Sequence, residues 1–223
     1  MSKSSGHARV SSAFAVLCLM SLVAACGSAG PAPTTYVLGT PSPRPDRAVV
    51  EPLTGKPVVE LKPVVVPDYL DGTDILVRDA SSTLAPQPAA RWAERLSIGV
   101  TRTLAQALTT RLPGFVITTM DPIEPPSRRL LVEIDSFESR SDDSVVLLAR
   151  WRLLDGSGRK TLAGQRVSLA EPVSRLVAAE IVPAMTKAIE ALADRVAEGV
   201  RTPWAGARTR RSGPVDSPSA ASV

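Results

Sequence analysis

Two neighbouring segments of this chain, residues 130–137 and 145–154, alternate apolar and polar side chains with a period of two. The apolar positions are Leu130, Val132, Ile134, Val145, Leu147, Ala149, Trp151 and Leu153. Because successive side chains of a strand point to opposite faces of its sheet, the alternation predicts two strands that each bury one face. Asp142 and Asp143 lie in the short connection, where such residues favour a turn. The pattern therefore predicts an antiparallel meander whose buried face other elements must cover.

Two further segments repeat apolar residues with the period of a helix. The first stripe comprises Trp92, Leu96, Val100, Leu104, Leu108 and Leu112, and the second comprises Ile181, Met185, Ile189, Leu192 and Val196. Pro113 follows the first stripe and predicts the end of that helix. The second helix is predicted over residues 174–200, and Pro183 inside it predicts either a kink or a true start near Val182.

The remaining segments complete one domain, predicted over residues 58–200. Residues 58–66 are rich in β-branched side chains, with Pro63 suited to an edge or a bulge. Shorter strands are predicted at 75–78, 83–85, 115–119 and 160–169. The predicted fold class is α/β, in the α+β sense: a single two-layer domain with a mainly antiparallel sheet covered by two helices.

The N-terminal region contains an apolar run at residues 13–25, about thirteen residues long. A membrane-spanning helix needs about 20 residues. Basic residues precede the run and small residues end it, which is typical of a secretory signal peptide, here residues 1–25. Val23-Ala24-Ala25-Cys26 resembles the bacterial lipobox, which predicts cleavage between Ala25 and Cys26 and acylation of the Cys26 thiol. The alternative is ordinary secretion with a chance cysteine.

Both ends of the mature chain are low in apolar residues. Residues 26–57 are rich in proline and predict a semi-rigid spacer, with one candidate strand at 35–38. A spacer of about thirty residues would let the domain stand off a bilayer. Residues 201–223 contain four arginines and predict a disordered basic tail.

Composition excludes several kinds of chemistry. The only histidine, His7, and one of the two cysteines, Cys18, lie in the predicted signal peptide. With Cys26 acylated, the mature chain would contain no histidine and no free thiol. This argues against zinc sites built on His and Cys, against Ser-His-Asp hydrolysis and against cysteine nucleophiles. The net charge of +4 comes from the two ends of the chain, so no nucleic-acid partner is expected.

The acidic and glycine-rich motifs do not predict a catalytic, metal or cofactor site. Asp68, Asp71 and Asp74 lack the alternate spacing of a calcium loop and favour a turn beside Gly72. Residues 156–161, GSGRKT, lack the spacing of a phosphate-binding loop and lie between two predicted strands.

Two further pairs of residues were candidates for function. Glu133 and Asp135 share a strand face, but nothing in the sequence indicates the burial that acid–base catalysis needs. Tyr69 and Leu70 follow a strand in the segment VPDYLDG, where an exposed aromatic and aliphatic pair would favour a contact with a partner or ligand. Local packing of these two side chains is the alternative.

Several motifs together resemble one protein family. These are YVL at 36–38, VVELKPVVVPDYLD at 58–71, ILVRDASSTL at 75–84, RWAERL at 91–96 and AMTKAIEALADRVA at 184–197. They resemble the PqiC-type, or ABC-type transport auxiliary, lipoproteins over roughly residues 26–200. VPDYLD followed about twenty residues later by RWAERL is the most specific part. The family's usual form is RWAEPL, so Arg95 departs from it, as does Pro183.

The resemblance implies a non-enzymatic accessory lipoprotein in lipid transport, anchored to the inner leaflet of the outer membrane and facing the periplasm. Its implied partners are a mammalian-cell-entry (MCE) domain protein and the associated ABC permease, and some family members assemble into homo-oligomeric rings. Gly27 after the cysteine fits export to the outer membrane. The family has no catalytic residue and implies no cofactor. The main alternative is a structural or assembly lipoprotein of another envelope complex; an enzyme using Glu133 and Asp135 and a small-molecule binding protein are the others.

Overall fold

The computed structural model describes residues 32–41, 55–122 and 125–202. The predicted signal peptide, the lipobox residues Ala25 and Cys26, most of the spacer and the tail from residue 203 lie outside the described residues. Within them the strands are β1 (Thr34–Tyr36), β2 (Val58–Leu61), β3 (Asp74–Arg78), β4 (Leu84–Trp92), β5 (Val116–Thr118), β6 (Arg128–Arg140), β7 (Ser144–Asp155) and β8 (Thr161–Pro172), and the helices are α1 (Leu96–Arg111) and α2 (Ala178–Arg201). No helix in these ranges is both long and apolar enough to cross a membrane.

The predicted antiparallel meander is confirmed as β6, β7 and β8. Val132 lies opposite Trp151 and Ile134 opposite Ala149, so the apolar positions of neighbouring strands fall on one face. All eight apolar residues that define the alternation are buried. The period-two pattern therefore identified both the strands and their inward face.

The sheet is mixed, and its parallel pairs lie along the other edge of β6. There β2 pairs in parallel with the start of β6, and β3 pairs in parallel with its end. Farther out, β5 pairs in parallel with β2, and β4 pairs antiparallel with β3. The strand predicted at 58–66 ends at Leu61, because Pro63 has no N–H to donate to a ladder. Only Val65 pairs again, opposite Glu133.

The two helices cover the buried face, as predicted, with α2 against β7 and β8 and α1 against α2 and β5. Every predicted stripe residue is buried. The assignment of Trp92 to a helix is wrong, because Trp92 is the last residue of β4 and its N–H donates to the Thr73 carbonyl at 2.7 Å. Its side chain joins the same core from the end of the strand.

Pro183 lies inside α2, five residues after the first residue, Ala178. The predicted start near Val182 is therefore wrong, and the kink stays a prediction. Glu180 holds the turn before the helix, because its carboxylate accepts the Arg175 backbone N–H at 3.0 Å and pairs with the Arg175 guanidinium. This contact fixes the chain ahead of the proline.

The strand predicted at 35–38 is present as β1, but it begins at Thr34 and ends at Tyr36, so Val37 and Leu38 lie beyond it. The residues after β1 are fixed to both helices. Leu38 is buried, and its carbonyl accepts the Thr103 hydroxyl of α1 at 3.0 Å. The Gly39 N–H donates to the Thr186 hydroxyl of α2 at 3.1 Å. Gly39 has a positive φ of 96°, and a Cβ there would lie 2.8 Å from the Thr103 hydroxyl oxygen. The segment therefore needs glycine at this position and is an integral part of the domain.

Candidate functional site

The segment VPDYLDG forms a tight turn that separates its two central side chains. The Leu70 N–H donates to the Pro67 carbonyl at 2.9 Å, and the Gly72 N–H to the Leu70 carbonyl at 2.9 Å. This turn leaves Tyr69 46% exposed and Leu70 only 3% exposed. The predicted exposure is therefore right for Tyr69 and wrong for Leu70, which packs in the core. Of the two predicted contact residues, only Tyr69 is exposed.

Tyr69 stands beside a fixed charged network. The Arg78 guanidinium lies 5.9 Å from the centre of the Tyr69 ring. Arg78 donates to both carboxylate oxygens of the buried Glu138, at 2.7 and 2.9 Å, and Glu138 also accepts the Ser136 hydroxyl at 3.0 Å. The hydrogen bond to Glu138 raises the pKa of Arg78, so the cation is secure. The guanidinium that faces the exposed Tyr69 ring is therefore held in place, and the cation–π contact favours one orientation of that ring.

Asp71, in the same turn, caps helix α1 from outside the helix. Its Oδ1 accepts the Ser97 N–H in the first turn of α1 at 3.0 Å, and its Oδ2 pairs with the Arg95 guanidinium. Arg95 is the N-cap residue and contributes no side-chain cap of its own within the described structure. Asp71 therefore supplies the acceptor and negative charge that the start of a helix favours. VPDYLD and RWAERL, distant in sequence, meet here.

We expect Asp71→Asn to destabilise the fold by about 0.5–1.5 kcal/mol at pH 7, because asparagine can still accept the Ser97 N–H but carries no charge for the helix start or for Arg95. Partial burial raises the pKa of Asp71, but the hydrogen bonds from Ser97 and Arg95 outweigh it and hold the pKa below its ordinary 3.8. A carboxyl group whose pKa is lowered in the folded state stabilises the fold at pH values above its ordinary pKa. That stabilisation is lost as the pH falls from the ordinary pKa through the folded-state pKa. The difference from wild type should therefore shrink between pH 7 and pH 3, as measured by urea unfolding.

Asp68→Asn is the matched control, since the exposed Asp68 contributes its backbone carbonyl to the turn. It should leave stability within about 0.5 kcal/mol of wild type. An Asp71→Asn deficit of the same size at both pH values would contradict the role of the charge.

The face of the sheet opposite the helices, the open face, carries Glu133, Asp135, Arg150 and Arg152. One guanidinium nitrogen of Arg150 donates to Glu133 at 2.8 Å and to Asp135 at 3.0 Å. The side chains of Glu133 and Asp135 are 51% and 37% exposed. This is an arrangement of surface ion pairs, and it gives neither carboxylate the desolvation expected of an acid–base pair.

The open face also contains a cleft of about 680 Å³. We call it the open-face cleft. Apolar side chains of Pro63, Val65 and Leu131 line it together with the carboxylate of Glu133 and the cationic side chains of Lys62, Arg150, Arg152 and Arg166. Its parts come from the loop after β2 and from β6, β7 and β8. Sequence reasoning placed Arg150 and Arg152 on the outer face but did not find the cleft, because only the strand register brings the other residues to it.

The two other motifs tested from sequence are structural. Asp155 Oδ1 accepts the N–H groups of Arg159 and Lys160 at 2.9 and 3.1 Å. Residues 156–160 therefore form the turn between β7 and β8, as predicted, and Thr161 begins β8. Asp71 pairs with Arg95 and Asp74 with Arg91. Within residues 32–41, 55–122 and 125–202, no group of three or more His, Cys, Asp or Glu side chains could hold a metal ion.

Comparison with known proteins matches this domain to one family. The sequence model of the ABC-type transport auxiliary lipoprotein component family matches residues 36–197, from the end of β1 to the last turns of α2. The intermembrane transport lipoprotein PqiC of Escherichia coli K12 is 28% identical over 99 residues, which are 44% of this chain and 52% of that protein. PqiC of Shigella flexneri matches to the same extent, so the chain spans about half the length of these relatives.

Two solved structures share the fold. The crystal structure of an uncharacterized protein superposes on this chain with a TM-score of 0.63 and 21% sequence identity. The alignment covers 76% of this chain and 99% of the other. A protein from Xanthomonas campestris gives a TM-score of 0.55 at 17% identity, covering 74% and 90%. Identities this low support the arrangement of helices and strands alone.

Proposed function

Since the chain belongs to the ABC-type transport auxiliary lipoprotein component family, we propose that it is a non-enzymatic accessory lipoprotein of a system that transports lipid across the cell envelope. The observation that carries this proposal is the extent of the family match, which includes α1, most of α2 and the whole sheet from Tyr36 onward. Two relatives of this chain are named intermembrane transport lipoproteins, which also supports a role in transport.

The proposed anchor is Cys26, exposed as the first residue when the signal peptide of residues 1–25 is removed. Several acyl chains on one cysteine give a stable membrane anchor. Gly27 after that cysteine fits export to the outer membrane, as the family resemblance implies, and we propose its inner leaflet as the site of the anchor. Because β1 begins at Thr34, the tether from Cys26 is much shorter than the thirty-residue spacer expected from composition. Eight peptide units span less than about 30 Å even when fully extended. The proposed anchor would therefore keep the start of β1 within that distance of the lipid attachment point.

The proposed partners are an MCE-domain protein and its ABC permease, with a homo-oligomeric ring as the proposed assembly of this chain. Tyr69 is the proposed contact residue. It is an exposed aromatic held over Arg78, so a partner could bury it at little cost in side-chain order. Aromatic residues of this kind dominate the binding energy of many interfaces.

The test is a crosslinked pull-down of the tagged full chain from whole envelopes, with mass spectrometry of the recovered proteins. We expect an MCE-domain protein or its permease in the eluate. We expect Tyr69→Ser to lower that recovery by about tenfold, which corresponds to the 1.4 kcal/mol typical of a contributing interface aromatic.

Met120→Ser is the matched control, because Met120 is also an exposed apolar side chain, at 76%. It should leave the recovery unchanged. An eluate that holds only the components of another envelope machine would overturn the transport proposal and favour an assembly role. Equal recovery with Tyr69→Ser and Met120→Ser would remove Tyr69 from the interface.

A further inference from the structure

We propose that the open-face cleft binds a phospholipid with a net anionic head group. The head group would lie between Arg152 and Arg166, and an acyl chain would lie over Pro63, Val65 and Leu131. This inference rests on the proposed function, since it assigns a lipid-binding site to a lipid-transport component.

The cleft carries positive charge that the protein itself does not neutralise. Arg150 and Arg166 lie directly opposite each other on β7 and β8, and like charges in that relation are destabilising. Two of the four cations of the cleft are paired: Arg150 with Glu133 and Asp135, and Lys62 with Glu60 and Asp121. Among the described residues, no carboxylate lies within ion-pair distance of Arg152 or Arg166. An anion bound there would relieve the repulsion, and guanidinium groups suit a phosphate because they donate in a fork.

The cationic side chains adjoin an apolar surface that is left open to solvent. Val65 is 60% exposed, and its neighbours in the cleft are Pro63 and the partly exposed Leu131. Gly164 lies opposite Arg152, where a Cβ would be 3.4 Å from the Arg152 Cγ and 3.0 Å from the Trp151 carbonyl oxygen. Glycine thus leaves space beside the guanidinium groups. The volume of about 680 Å³ is within the usual range for a small-ligand site.

The geometry favours an amphiphile over a peptide. Peptides that bind sheets usually add a strand at an edge and pair their main chain with it. The cleft lies on a face, where β6 and β7 are already paired on both sides, so few backbone groups are free to recognise a peptide. It offers fixed charge at one end and apolar surface at the other, which is the polarity of a lipid.

The test is native mass spectrometry of the purified full chain in detergent with three probes: phosphatidylglycerol, phosphatidylcholine with the same acyl chains, and glycerol 1-phosphate. We expect phosphatidylglycerol to bind about tenfold more tightly than phosphatidylcholine, because the choline cation opposes the arginines. Glycerol 1-phosphate, which lacks acyl chains, should bind weakly. The double variant Arg152→Gln/Arg166→Gln should lose the preference for phosphatidylglycerol, and Val65→Ser should weaken both lipids.

Arg159→Gln, at an exposed arginine in the β7–β8 turn, is the control and should bind like wild type. Thermal unfolding of each variant shows that the fold is intact. Equal binding of the two lipids, undiminished preference in the double variant, or equally tight glycerol 1-phosphate would overturn the proposal. Displacement of the lipid by an acidic peptide would also overturn it. The same holds if the double variant dissociates an oligomer but binds lipid unchanged.

The failure of this inference is distinguishable from that of the proposed function. A chain that recovers its MCE partner but binds both lipids alike would remove the lipid site and leave the transport role. A chain that binds phosphatidylglycerol selectively but recovers no MCE-domain protein or permease would remove the proposed transport role and leave the lipid site.

Discussion

Replacing Gly199 with alanine will destabilise the protein by about 1–3 kcal/mol, the usual cost of overpacking a core. Gly199 lies in α2 against the indole of Trp151, and a Cβ there would be 2.2 Å from Cη2 and 3.0 Å from Cζ2. The indole is buried and borders a cavity of about 390 Å³, so it can make room for a methyl group only by leaving its present packing in the core. Helix propensity acts in the opposite direction, because alanine is better than glycine by about 1 kcal/mol. Urea unfolding at pH 7 measures the net change in the free energy of unfolding. We expect the steric cost to exceed the gain in helix propensity.

The matched control is Gly99→Ala in α1. There the nearest atoms to a new Cβ are the Glu94 carboxylate oxygen at 3.4 Å and the Leu38 Cβ at 3.6 Å, which are ordinary contacts. This change should stabilise the protein by about 0.5–1 kcal/mol. The same substitution in two helices is thus expected to have opposite signs.

Trp151→Phe tests the cause, since phenylalanine lacks the outer atoms of the indole that the new Cβ would meet. The cost of Gly199→Ala should fall in that background, and a double-mutant cycle measures by how much. A Gly199→Ala variant that is as stabilised as Gly99→Ala would show that the indole does not restrict this position.

The sequence predicted best what depends on local periodicity. Val132 and Trp151 identified the inward faces of β6 and β7 because alternation is a property of each strand alone. The parallel pairing of β2 and β3 with β6 was not predictable in this way, since it depends on which distant segments meet. Trp92 was misassigned for a related reason. Its four-residue spacing to Leu96 fits a helix, but Trp92 is the last residue of β4.

The candidate site shows the same division. Tyr69 and Leu70 are adjacent and both apolar in character, and only the turn decides that one is exposed and the other buried. The cap that Asp71 provides to Ser97 joins residues 26 positions apart, so no local pattern contains it. The open-face cleft likewise requires the register that places Arg150 opposite Arg166.

Cys26→Ala is expected to leave a folded but mislocalised chain that no longer supports transport. Acyl chains provide the membrane affinity of the proposed anchor, at about 0.8 kcal/mol for each buried CH₂ group, and alanine cannot carry them. The described core begins after β1 and does not include residue 26, so the unfolding midpoint should be unchanged. The measurements are the mass of the mature chain, its distribution between membrane and soluble fractions, and complementation of a strain that lacks the protein.

Cys18→Ala separates the loss of a lipid site from the loss of a thiol. Cys18 lies within the apolar run of residues 13–25, before the predicted cleavage site, and is the only other cysteine of the chain. Alanine keeps that run apolar, so the variant should be processed, acylated and active like wild type. Because the tether from Cys26 to Thr34 spans less than about 30 Å, a released chain would lose both its membrane and its fixed distance from the partner. Full complementation by a soluble, unlipidated Cys26→Ala chain would therefore refute the anchor and the short tether together.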